Sequence, residues 1–186
     1  MLGPDNAFWD DGEWVSWNDI NRQIQYKEWG AKYPNADRSL IPIFEDLLSV
    51  AEDYHDTTGS HLQVYGDIGE LFGAITYGVK LHRNYAQGSD GRLGDDFVEV
   101  KTITPFKSND YVEVKASGNF SKLLVVKINQ HFELSCRMIS RKNLPKAKGG
   151  KHRINWLEIA LLAISPQEKV MGRFPCWPVK ECCKCP

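Results

Sequence analysis

No stretch of this chain approaches the run of roughly 18 apolar residues that a membrane-spanning helix requires, so none is expected. The first residues carry Asp5, Asp10 and Asp11 where a signal peptide would have a basic and then an apolar segment, and a cytoplasmic protein is expected. Cysteine is scarce where it would staple a fold. Of the five, Cys176, Cys182, Cys183 and Cys185 crowd the last eleven residues, which excludes a disulfide framework spread through a small secreted domain. Low-complexity segments are lacking too, and the one internal echo, residues 15–20 against residues 154–159, is too short for a repeat architecture. The net charge of −1 has no excess of either sign to steer a partner.

What is present is enough apolar residue, 42% of 186, to bury one substantial core. The charge is also unevenly spread. Residues 1–60 hold twelve acids and four bases, a balance of −8; residues 61–186 hold twelve acids and nineteen bases, a balance of +7. That asymmetry points to a polyanion facing the C-terminal two-thirds, with a different task for the N-terminal part.

Three helices open the chain. Ser16 caps residues 17–29, where Ile20, Ile24 and Trp29 recur at near-helical spacing. From Leu40 the series Leu40, Ile43, Phe44, Leu47, Leu48, Ala51 and Tyr54 follows the helical period, with Pro42 tolerated in the first turn. After the break at residues 58–60, a third helix runs from Leu62 to about Val79. Its second face holds Gly66, Glu70 and Gly73. Each glycine costs about 1 kcal/mol in helix propensity, which close approach to a sheet would explain and which would turn Glu70 inward. Strands follow over residues 87–93, 96–103, 122–128 and 132–139, with a turn at Asn129-Gln130. Residues 141–153 read as a basic loop, and residues 154–164 as a short helix. The fold class is therefore α+β, a central mixed sheet flanked by helices.

The chemistry concentrates in the segment Gly88 to Thr102. A two-residue turn at Gly94-Asp95, glycine first as a type II′ turn prefers, sets Leu93 opposite Asp96 and Asp90 opposite Glu99. Opposed residues have Cβ atoms about 5 Å apart, so two carboxylates would stand together, an arrangement that repels unless a proton or cation lies between them. Magnesium is commonly held by one or two carboxylates, its other positions left to water and phosphate oxygens, and manganese is expected to substitute. Strand alternation puts Lys101 on the face of Glu99, where an ammonium offsets charge developing on a phosphate. Glu70 would complete the shell or hold a second ion. Asp95 and Asp96 are second choices, and Glu113-Val114-Lys115 repeats the Glu-x-Lys spelling without an opposed carboxylate.

Glu70 on a helix, then Asp90, then Glu99-Val100-Lys101 on a strand, resembles the PD-(D/E)xK nuclease superfamily over about residues 62–139. The resemblance implies a restriction-endonuclease-like core, metal ligation by Asp90 and Glu99, Lys101 as catalytic lysine and Glu70 as auxiliary carboxylate. Ser89 stands where the family pattern has proline, and no clear helix separates the motif strand from residues 122–128.

The implied activity is magnesium-dependent hydrolysis of DNA phosphodiesters, in restriction, repair or phage defence, with RNA equally compatible with these residues. Arg141, Lys142, Lys146, Lys148, Lys151 and Arg153 are the expected phosphate contacts. A one-site enzyme usually needs two subunits for a double-strand break, so a symmetric homodimer is the expected assembly. Cys182 and Cys185 have zinc-knuckle spacing, with Cys176, Cys183 or His152 as further donors, but zinc is not expected there because structural sites come as two separated ligand pairs.

The chain divides into an acidic, Trp-rich helical portion (residues 1–60), the nuclease-like domain (61–175) and the Cys-rich tail (176–186). Trp9, Trp14, Trp17 and Trp29 are expected to pack the first portion onto the core. The competing functional reading is a non-catalytic DNA-binding or protein-interaction module on the same fold. A third makes the acidic portion an arm that competes with DNA for the basic face.

Overall fold

The computed structural model describes residues 6–82, 88–162 and 169–171. The chain opens on a hairpin, β1 (Ala7–Asp10) and β2 (Glu13–Ser16), whose turn residues Asp11 and Gly12 both have positive φ, 39° and 95°. Aspartate-glycine is the spelling such a turn favours. Ser16 then caps α1 (Trp17–Lys32), its Oγ accepting from the Asn18 N–H at 3.1 Å. The helices α2 (Leu40–Thr58) and α3 (Tyr65–Tyr77) follow, ended by Gly59 and Gly78 in the left-handed region that glycine reaches without strain.

Next come β3 (Lys80–Leu81), β4 (Gly91–Leu93), β5 (Asp96–Ile103), β6 (Tyr111–Lys115), β7 (Lys122–Ile128), β8 (Leu134–Ser140), a 3₁₀ turn at Arg141–Asn143, β9 (Lys151–Asn155), α4 (Trp156–Leu162) and β10 (Lys169–Met171). Six strands form the central sheet in the order β10-β8-β7-β5-β4-β3. Its pairs are antiparallel except β5 with β7, which is parallel, so the protein is α+β with a central mixed sheet. A parallel pair needs a crossover connection, usually a helix. Here residues 104–121 make it through β6, which pairs with β9 in a separate two-stranded sheet.

The sheet is covered on both faces. On one, Ile68, Phe72 and Ile75 of α3 and Phe44 of α2 pack on Val98, Val100, Leu124 and Val126. On the other, Val112, Val114, Ile154 and Ile159 close over Ile103, Leu123, Val125 and Ile139. That double burial explains the unbroken Leu-Leu-Val-Val run of β7, none of whose four side chains is exposed. Helix α3 lies close to the sheet along Gly69 and Gly73: a Cβ on Gly73 would meet Leu124 Cδ2 at 2.5 Å, and one on Gly69 would collide with the Thr102 hydroxyl. Gly66, expected at that contact, faces open space.

Two further expectations are corrected. Of the four N-terminal tryptophans only Trp29 is buried; Trp9, Trp14 and Trp17 are 58%, 41% and 51% exposed. Residues 141–153 are not one loop, since they begin in a 3₁₀ turn and end in β9, with a bridge from Lys148 to Lys151 around Gly149-Gly150. The cysteine tail lies outside the described residues, and Cys136 is a buried core residue of β8. No helix among the described residues is long and apolar enough to cross a membrane.

Candidate nuclease site

The β4–β5 hairpin turns at Gly94, φ 61°, with the register that a two-residue turn dictates: Leu93 opposite Asp96, Arg92 opposite Phe97, Gly91 opposite Val98. The paired ladder stops there, one residue short of the expected Asp90–Glu99 pair. The Asp90 N–H still donates to the Val98 carbonyl at 3.0 Å, but the Val100 N–H is taken by the carboxylate of Asp90, Oδ2 accepting at 2.6 Å. A side chain thus replaces backbone at the fork where β4 leaves β5, and Asp90 is fixed beside the Glu-x-Lys strand. Ser89, where the resemblance would have proline, is buried; its hydroxyl and carbonyl both meet the His82 ring, at 3.4 and 3.2 Å. The His82 N–H donates to the Asp90 carbonyl at 2.9 Å. These bonds hold the backbone that carries Asp90.

Glu99 and Lys101 share one face of β5, as alternation requires, and form an ion pair of 2.6 Å. Glu99 is the more enclosed, 18% exposed against 35% for Lys101. Their face is opposite to that of Val98, Val100 and Thr102, which pack under α3. Glu70 approaches from the α3 side, half-buried, next to the Gly69 contact with Thr102. Burial raises its carboxyl to about 7, helped by the negative charges of Asp90, Asp67 and Glu99, while Lys101 opposes the shift.

Glu70, Asp90, Glu99 and Lys101 therefore meet electrostatically at one fork. The three carboxylates do not close around a single point: among the described residues no three His, Cys, Asp or Glu side chains form a group that could hold a metal ion. The Asp90 carboxylate, on the Val100 N–H, and the Glu99 carboxylate, on Lys101, flank the same stretch of β5. Two carboxylates are as many as magnesium commonly takes, since it keeps several waters.

The second choices serve the fold. Asp96 pairs with Lys122 at 2.7 Å and accepts from the Ser121 hydroxyl at 2.8 Å, tying the start of β5 to that of β7. The Lys122 ammonium and the Ser121 hydroxyl hold its carboxyl below the usual range. Asp95 is exposed in the turn. Glu113 of the repeated Glu-x-Lys spelling bonds Lys151 across the β6–β9 sheet at 3.0 Å.

The six basic candidates separate by role. Arg141 is built into the crossover: its guanidinium donates to the carbonyls of Ala116, Gly118 and Phe120 and lies 4.7 Å over the Phe120 ring. Lys151 is held by Glu113, and Arg153 stacks at 3.6 Å on Tyr111. Lys142, Lys146 and Lys148 are exposed. Nothing in the sequence marks His82 for its role, because a lone histidine has no spelling as a brace for a neighbouring loop. Comparison with protein-family models returned no match, and comparison with curated proteins returned none.

Proposed function

We propose that the chain is a magnesium-dependent endonuclease of the PD-(D/E)xK kind, hydrolysing DNA phosphodiester bonds. The observation that carries this reading is the Asp90 carboxylate bonded to the Val100 N–H at the fork of β4 and β5, between Glu99 and Lys101, which form an ion pair; half-buried Glu70 supports it, held up to about 7 by burial first and then by the charge of Asp90. Asp90 and Glu99 would hold the ion, which when bound supplies Lewis-acid stabilisation of charge on the scissile phosphate. The Lys101 ammonium, now on Glu99, would offset negative charge growing on a phosphate oxygen in the transition state. Glu70 changes protonation near neutral pH, which suits it to accept a proton from the attacking water. The exposed Lys142, Lys146 and Lys148 provide salt-sensitive contacts to the strand, and a symmetric dimer would let one site per chain cut both strands.

One observation favours the non-catalytic alternative: the Glu99–Lys101 ion pair is already closed at 2.6 Å, as in a strand that only carries surface charge. The test is cleavage of supercoiled plasmid and of single-stranded DNA with magnesium, manganese or chelator, comparing wild type with Glu99→Ala and Lys101→Ala. Metal-dependent cutting that both substitutions abolish is the expected result. Folded protein that binds DNA and cuts none of these substrates would establish the binding module instead.

A further inference from the structure

Past the C-terminal end of β5 the chain makes a tight turn, the Lys107 N–H donating to the Thr104 carbonyl at 3.1 Å. Pro105 occupies its second position, where a fixed φ favours the turn, and is buried. The turn projects Phe106, 51% exposed. One side of that ring is backed by His61, centroids 4.7 Å apart, and by Tyr65 at 5.8 Å. His61 is itself stacked on His55 at 4.2 Å and an interplanar angle of 11°, and its Nδ1 shares a hydrogen bond of 2.9 Å with the Tyr65 hydroxyl. None of these rings belongs to the nuclease site.

Beside the turn lies a cleft of about 270 Å³, walled by Pro105, Lys107, Asp110, Lys127, Asn129 and His131. Its far wall is locked: the Asn129 side chain accepts from the N–H groups of His131 and Glu133, both at 2.9 Å, and Phe132 is held at φ 55°, which a bulky residue rarely adopts. The acid in the cleft, Asp110, is neutralised by Lys127 at 2.6 Å. Two further cations flank Tyr111, Lys107 at 5.4 Å and Arg153 at 3.6 Å from its ring centre. A half-exposed ring, with Lys107 beside it in the chain and Arg153 on the Tyr111 ring that Lys107 also reaches, offers the stacking surface and the cations that an unpaired base and its phosphates require.

We propose that this turn is a binding site for single-stranded nucleic acid, with a base stacked on Phe106 and adjoining phosphates on Lys107 and Arg153. The stacking site stands on its own geometry; only the course of the strand rests on the nuclease reading. Four residues of strand and turn lie between Lys101 and Phe106, a span of at most about 17 Å, so a strand crossing the nuclease site reaches the ring within a few nucleotides.

The experiment measures anisotropy of labelled oligothymidine, oligouridine, an abasic strand of equal length and a duplex, with the full chain in chelator so that no cutting intervenes. Oligothymidine is expected to bind more tightly than the abasic strand. Phe106→Ala is expected to weaken it about 5- to 100-fold, leaving the abasic strand unaffected, and Phe106→Trp to restore it. Comparison with oligouridine assigns the natural strand as DNA or RNA. Equal binding of oligothymidine and abasic strand, or affinity indifferent to Phe106→Ala, overturns the proposal. Plasmid cutting with magnesium remains a separate readout, so stacking and catalysis can fail independently.

Discussion

Replacing Glu70 by glutamine removes a charge that the fold accommodates badly, and its effect should grow with pH. In the unfolded chain the carboxyl titrates near its ordinary 4.5; in the fold, burial and the charges of Asp90, Asp67 and Glu99 move it to about 7. Below about pH 4.5 the side chain is neutral in both states and resembles glutamine. As pH rises from there, the unfolded chain ionises while the folded protein keeps its proton, and wild-type stability falls until the folded group has ionised too. An interval of that size is worth about 3 kcal/mol for a group shielded from water, and solvent screening of a half-buried side chain reduces it to about 1–2 kcal/mol. Glu70→Gln should therefore be more stable than wild type by about 1–2 kcal/mol at pH 8, or roughly 2–8 °C in Tm, and by much less at pH 5. Urea unfolding of both proteins in chelator, at pH 5 and at pH 8, measures the difference directly. An equal difference at both pH values, or a wild type more stable than the variant at pH 8, would refute this placement of charge.

Other substitutions test the site and its surroundings. Asp90→Ala leaves the Val100 N–H without its acceptor and should cost about 1–3 kcal/mol in chemical denaturation, whereas Asp90→Asn keeps an acceptor and should cost less while losing any magnesium-dependent stabilisation. Arg141→Ala removes donors to three carbonyls and should destabilise by about 2–4 kcal/mol. By contrast, Lys142→Ala with Lys146→Ala should leave Tm unchanged and lower the slope of log affinity against log salt by about 2.

Local spelling made much of the fold legible. Strands β5 and β7 begin and end where alternation and the apolar run place them, and the register of the β4–β5 hairpin follows from Gly94 and the length of its turn. The N-terminal hairpin is spelled too, by Asp11-Gly12 at its turn, but its four-residue strands are too short to show a period. What stayed hidden depends on partners distant in sequence. Glu113 stands opposite Arg153 and bonds Lys151 only because β6 and β9 pair across some forty residues of chain. Within the basic segment, the alternation of exposed Lys151 and Arg153 with half-buried His152 and buried Ile154 was masked by the density of charge. Nor does sequence distinguish an arginine that reaches solvent from Arg141, which turns inward to bind carbonyls. Gly66 and Gly69 look alike on paper, and only the rotation of α3 decides which one meets Thr102.

The site itself was half legible, for a reason with consequences for its chemistry. Turn arithmetic predicts Asp90 opposite Glu99 on a continuing ladder, but a continuing ladder would use backbone to satisfy the Val100 N–H. Instead the strands part, and the Asp90 carboxylate makes that bond. Parting opens the sheet at the point where Glu70 comes in from the helix side and Glu99 with Lys101 lie on the other, so three carboxylates share a partly desolvated region with one ammonium. Such an excess of negative charge destabilises the fold and must be offset by a proton or a cation. In the metal-free protein the proton resides on Glu70 near neutral pH, and the ammonium resides on Glu99. On the proposed reading Asp90 and Glu99 would hold a divalent cation, leaving the Lys101 ammonium to a phosphate and Glu70 to proton transfer. The charge imbalance that costs stability is then the same imbalance that creates affinity for the ion, and magnesium should protect wild type against heat more than it protects Glu99→Gln.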